Sequence, residues 1–168
     1  MPGQFTKKGV FSDKRGTFTP LSLKIGGFEW IQSNISLNPK KYTLRGLHFQ
    51  VGEFAQTKLI KVINGEMLDF IVDIREDSDD YMMLYMYHME SGDELLVPKG
   101  FAHGFITLRD NTIAQYLIDN DYSPESEGSI VWTKFPQIKV KIQNLVGNFD
   151  ENDIIISDKD LVTKNFNL

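Results

Sequence analysis

The chain has 168 residues, 41% hydrophobic and 24% charged, with a formal net charge of −5 and no cysteine. This describes one globular domain over residues 1–168 and is at odds with disorder or two full-sized domains, and the missing cysteines exclude disulfides, thiolate nucleophiles and cysteine-built zinc sites. An acidic balance argues against nucleic acid as a bulk partner, since phosphate is bound by dense Lys and Arg. No apolar run nears the ~20 residues of a membrane span, and the start MPGQFTKKGVF lacks an apolar signal region, so the cytoplasm is the expected compartment.

In chain order, the runs FEWIQSNISL, TKLIKVINGEMLDFIVDI, YMMLYMYHM, ELLVP, GFITL, TIAQYLI and SIVW are rich in the β-branched and aromatic residues that suit strands. Asn64-Gly65 is the dipeptide of a two-residue hairpin turn, because both positions tolerate positive φ. Glu90-Ser91-Gly92-Asp93 and Arg109-Asp110-Asn111 read as further turns, so the centre predicts a meander of tightly joined strands. The class is all-β, a barrel or jelly roll. After Trp132 the sequence is more polar, with IIISDKDLV as its apolar island, and predicts short C-terminal helices or turns packed on the barrel.

Of three histidines, His48 sits in LRGLHFQ and His103 in PKGFAHGF, whereas His88 has no comparable setting. Gly92, Pro98, Gly100 and His103 follow the spacing of the second motif of cupins. In metal-binding cupins the first motif carries two histidines around one residue. Here His48 is followed by Gln50, and with the cationic Lys58 nearby this donor set does not suit a divalent ion, so no metal is expected.

The other polar residues are then read as organic acids and bases. Lys58 is either a solvated strand lysine or, with Ile60 and Val62, part of an inward face that leaves Lys61 outward; the second assignment is the more economical. Tyr116 and Tyr122 taken alone are core or rim residues. Arg15 and Arg45 are either surface arginines or a diphosphate clamp, since guanidinium matches phosphate oxygens at two points.

Together, FSDKRGTF, IQSNIS, LRGLHFQ, QTKLIKVINGEMLDFIVDIR, LLVPKGFAHGFITL, YSPESEGSIVW and ISDKD resemble the dTDP-4-dehydrorhamnose 3,5-epimerase family, from about Phe11 to Asp160. The resemblance implies a cupin-type jelly-roll barrel acting as a homodimer, without a cofactor, on a nucleoside diphosphate 4-keto sugar. It implies His48 as the base, Asp160 as the carboxylate that orients it, Lys58 as the stabiliser of the enolate, and Tyr116 as the acid that returns a proton from the opposite face. It places His103 at the sugar pocket, Arg45 and Arg15 on the diphosphate, Gln32 and Asn34 on sugar or phosphate, and Tyr122, Glu127 and Lys159 at the rim. The run Arg15-Gly16-Thr17-Phe18-Thr19-Pro20 departs from the family pattern at the nucleotide end, which leaves open a GDP-linked 4-keto sugar or heptose in place of a dTDP-linked one. Also open are an enzyme acting at C3 or C5 alone, a keto-isomerase, and, in another class, a sugar-nucleotide-binding cupin without catalysis or a metal-dependent cupin.

Overall fold

The computed structural model describes residues 3–7, 11–13, 16–18 and 27–165. Short strands β1 (Gln4–Thr6), β2 (Phe11–Asp13) and β3 (Gly16–Phe18) precede the main body. That body consists of β4 (Gln32–Asn38), β5 (Leu44–Gln50), β6 (Lys58–Asn64), β7 (Glu66–Asp73), β8 (Leu84–Glu90), β9 (Glu94–Val97), β10 (Phe101–Thr107), β11 (Thr112–Ile118) and β12 (Glu127–Ser129). Helix α1 (Pro136–Val146) follows, with short 3-10 turns before and after it. Two five-stranded sheets form, ordered β1-β9-β6-β11-β4 and β12-β5-β10-β7-β8, while β2 and β3 pair separately. The sandwich with its C-terminal helix and turns is the all-β jelly-roll arrangement expected of the sequence. Among the described residues no helix is long and apolar enough to cross a membrane.

The connectivity differs from the predicted meander. Between β4 and β12 the chain changes sheet at every connection except β7 to β8, which are antiparallel neighbours. Asn64-Gly65 therefore joins β6 in one sheet to β7 in the other and makes no hairpin. Gly65 has φ +94°, and a Cβ there would lie 2.4 Å from Thr112 Oγ1. The turn is a corner pressed on the start of β11, and its backbone N–H donates to Ser91 Oγ at 2.9 Å. The turns at 91–92 and 109–111 likewise carry the chain across, from β8 to β9 and from β10 to β11. The Asn64 side chain donates to the Asn111 carbonyl at 2.8 Å, tying two of these corners together at one end.

Between the sheets lie Ile60, Val62, Leu95, Val97 and Ala114 from the first and Met67, Ile71, Met89, Phe101 and Phe105 from the second. The second sheet is also covered on its outer face, where Leu68, Phe70, Val72 and Ile106 meet Trp132, Phe135, Ile138 and Ile142. Burial on both faces explains why EMLDFIVD is a nearly continuous apolar run without alternation. Each fully buried side chain of this kind contributes about 1.5–3 kcal/mol. Pro136 starts α1 where no intrahelical N–H is needed, and Ile138 and Ile142, one turn apart, are its buried stripe.

Lys61 turns away from the inter-sheet core, in line with its parity, yet it is not solvated. It is 1% exposed and its Nζ donates to Glu94 Oε1 at 2.7 Å. Strand periodicity assigns a face; whether that face is wet depends on what covers it.

Candidate active site

A cavity of about 580 Å³ opens where the start of β4, the start of β6, the end of β11 and strand β5 converge. Gln32, Asn34, Arg45, His48, Lys58, His103, Tyr116, Tyr122, Glu127, Lys159 and Asp160 all line it. Arg15 lies outside the described residues, as do Thr19 and Pro20 of the divergent run.

Arg45 and His48 are three residues apart, a spacing that simple alternation would send to opposite faces. The pairing of β5 with β10 resolves this: His103 faces His48 and Phe105 faces Arg45, so two residues of β5 stand opposite one of β10. The resulting bulge turns both side chains to the cavity. It depends on Gly46, whose φ is +104° and where a Cβ would come within 2.5 Å of the His103 carbonyl oxygen.

His48 Nε2 is 2.6 Å from Asp160 Oδ1, and the Gly46 N–H donates to Asp160 Oδ2 at 3.3 Å. Asp160 is 3% exposed, and burial by itself would raise its carboxyl. The hydrogen bond and charge of His48, the Gly46 N–H and the Ser157 hydroxyl outweigh burial and hold it below its ordinary value. With Nε2 committed, Nδ1 is the ring nitrogen left without a partner among the described residues. Asp160 arrives on a strap that is pinned at both ends. At one end Leu44 N–H donates to Ile155 O at 2.9 Å and Ile155 N–H to Tyr42 O at 3.0 Å; at the other Ser129 N–H donates to Lys164 O at 2.9 Å and Lys164 N–H to Ser129 O at 3.0 Å.

On the opposite sheet, Lys58 and Tyr116 stand on neighbouring strands, with Ile118 facing Lys58 and Tyr116 facing Ile60. Lys58 Nζ donates to the His48 carbonyl at 3.4 Å. Burial lowers its pKa to about 8, against the pull of Glu127 and Asp69 in the other direction. Gln32 Nε2 donates to Asn34 Oδ1 at 2.8 Å, Tyr122 OH donates to Glu127 Oε2 at 3.1 Å, and Arg45 Nε donates to Asn38 Oδ1 at 2.9 Å.

Two polar residues of the site escaped sequence reasoning. Asp69 is fully buried between the sheets, 2.8 Å from His103 Nε2, and its Oδ1 has no hydrogen-bond partner among the described residues. Burial raises its carboxyl above the ordinary value, with His103 and then Lys58 pulling it back. The available signal was an aspartate interrupting the apolar EMLDFIVDI. Gln56 also lines the cavity, held by hydrogen bonds to the Asn120 and Asp121 carbonyls. Gln50, where a metal-binding cupin carries its second histidine, is spent on structure: it donates to the Phe54 and Asp121 carbonyls and accepts from Ser123 N–H. Among the described residues no three His, Asp or Glu side chains converge as metal ligands.

A facing pair of sheets with a histidine–aspartate couple on one wall and lysine and tyrosine on the other is a geometry for moving protons. The family model for dTDP-4-dehydrorhamnose 3,5-epimerase matches residues 4–167. The chain belongs to that family. The dTDP-4-dehydrorhamnose 3,5-epimerase of Salmonella typhimurium is 43% identical over 133 residues, which cover 73% of this chain and 72% of that protein. Among solved epimerase structures, that from Bacillus anthracis with TDP and pyrophosphate bound has a TM-score of 0.80 at 35% identity, covering 96% of this chain and 92% of its own. That from Legionella pneumophila, in complex with dTDP-4-keto-L-rhamnose, has a TM-score of 0.76 at 30% identity, covering 94% and 84%.

Proposed function

We propose that this epimerase inverts C3 and C5 of a dTDP-linked 4-keto sugar by removing and returning protons on the carbons beside the ketone. The observation that carries the proposal is the placement of His48 with Asp160 on one sheet and Tyr116 with Lys58 on the other, all lining one cavity. A proton next to a carbonyl can be removed when a base is held against it and the developing enolate oxygen meets a cation or donor. His48 is the base, and Asp160 fixes its tautomer and stabilises the imidazolium it becomes. Lys58, still predominantly protonated at neutral pH, meets the enolate oxygen. Tyr116 returns the proton from the opposite face, so the centre inverts. No electrons leave the sugar in this sequence.

His103, held by Asp69, lines the sugar end. Arg45 takes diphosphate oxygens, together with Gln32 and Asn34, while Tyr122, Glu127 and Lys159 border the mouth. Ligands of the related solved structures favour dTDP as the nucleotide. A homodimer is supported by the edge strand β4, whose outward Ile35 and Leu37 are 70% and 58% exposed. Ile35→Asp should convert it to monomer in sedimentation. A cytoplasmic address fits the cysteine-free chain.

The deciding experiment is incubation in D2O with dTDP- and GDP-linked 4-keto sugars in parallel, with deuterium followed at C3 and C5 by NMR. Exchange at both carbons of the dTDP sugar, lost in His48→Asn, is expected. Exchange at one carbon only means a single-centre enzyme, preference for GDP reassigns the nucleotide, and no exchange with either overturns the catalytic reading.

A further inference from the structure

We propose that Asn38, which does not reach the cavity, is a positioning residue that presets the Arg45 guanidinium for the substrate diphosphate. The inference rests on the reading of Arg45 as a diphosphate ligand. Asn38 is fully buried at the end of β4, in one sheet, while Arg45 belongs to β5 in the other. Its amide can be oriented only one way. Nδ2 lies 3.1 Å from the Thr112 carbonyl oxygen, a group that only accepts, and 3.2 Å from Ser36 Oγ. Oδ1 is thereby turned to Arg45 Nε, a group that only donates, at 2.9 Å.

Nε is the inner corner of the guanidinium. Holding it leaves the two terminal nitrogens, which have no partner among the described residues, as the edge offered to the cavity. This is the edge that matches a pair of phosphate oxygens. Arg45 is otherwise an exposed side chain with several rotatable bonds, and a ligand that had to order it would bind less tightly. Ordering one long side chain on binding accounts for about a 2- to 12-fold change in affinity.

The test is a double-mutant cycle on TDP binding by calorimetry, with steady-state kinetics on the dTDP-4-keto sugar. Asn38→Ala should raise the Kd for TDP and the KM by about 2- to 12-fold while kcat stays within about twofold of the parent. In an Arg45→Ala background the same change should add nothing. Asn38→Ser, a shorter polar side chain that also gives up the Arg45 contact, should behave alike, and equal thermal midpoints of the variants and the parent guard against misfolding. A loss confined to kcat, an unchanged Kd, or an equal penalty with and without Arg45 overturns the proposal. An unchanged Kd in Arg45→Ala alone instead removes the diphosphate role of Arg45 on which it rests.

Discussion

Replacing Asp160 by asparagine keeps the shape of a side chain that is 3% exposed and removes only its charge and two acceptor sites. The Gly46 N–H, 3.3 Å from Oδ2, requires an acceptor there, so the new amide oxygen stays on Gly46 and the amide nitrogen turns to His48 Nε2. His48 must then present a lone pair at Nε2 and carry its proton on Nδ1, the nitrogen needed to receive one from the sugar. The imidazolium would also lose a charge-assisted hydrogen bond, worth about 1.5–3 kcal/mol, or a factor of about 12 to 160 at 1.36 kcal/mol per decade. Deuterium wash-in at C3 and C5 should slow in Asp160→Asn by at least about that factor, with TDP affinity within about twofold of the parent because no diphosphate contact is touched. A kcat within about threefold of the parent would show that Asp160 does not govern the base, and the proposed division of labour would fall with it.

Lys58 titrates near pH 8, and in the proposed reaction only its cation stabilises the enolate. The rate should therefore fall as pH rises past about 8, and in Lys58→Arg the fall should move to higher pH, read from the kcat/KM profile. Because this folded pKa lies below the ordinary 10.5, the folded state binds fewer protons between those values and gains stability as pH rises from about 8 toward 10.5. Lys58→Met should thus be inactive yet melt higher at pH 7, with the gain shrinking from about pH 8 and gone near pH 10.5, as followed by thermal scans. Gly46→Ala places a methyl 2.5 Å from the His103 carbonyl in a residue at φ +104°. It should cost more than about 2 kcal/mol in urea unfolding. Glu94→Gln turns the 2.7 Å ion pair with Lys61 into a charge–amide contact and should lower the urea midpoint in the same assay, while TDP affinity is preserved in the folded fraction.

Strand composition made the all-β class legible, since runs such as TIAQYLI and GFITL have no competing helical period, although of SIVW only Ser129 lies in a strand and Trp132 opens a 3-10 turn. Connectivity was not legible, because Asn64-Gly65 suits a hairpin and a corner equally. Packing on Thr112 decides between them, and local sequence does not contain that contact. The site was legible as a set of residue types and motifs, but not as a geometry. Periodicity alone separates Arg45 from His48, and the bulge at Gly46 reunites them. Asp69 was overlooked because its partner His103 lies 34 residues away, on the adjacent strand of the same sheet. Lys61 was assigned its face correctly while its environment, an ion pair with Glu94 on the adjacent strand, required the sheet order.

The strap that brings Asp160 to His48 links positions 112 residues apart and follows every barrel strand in the chain. Both sheets are thus made by residues that precede that carboxylate, and in the proposed reaction His48 has no orienting partner until the strap is docked. An undocked strap leaves a vessel for nucleotide sugar rather than a catalyst. Competence in the proposed reaction therefore depends on docking of the strap, which separates what the cavity holds from what it transforms.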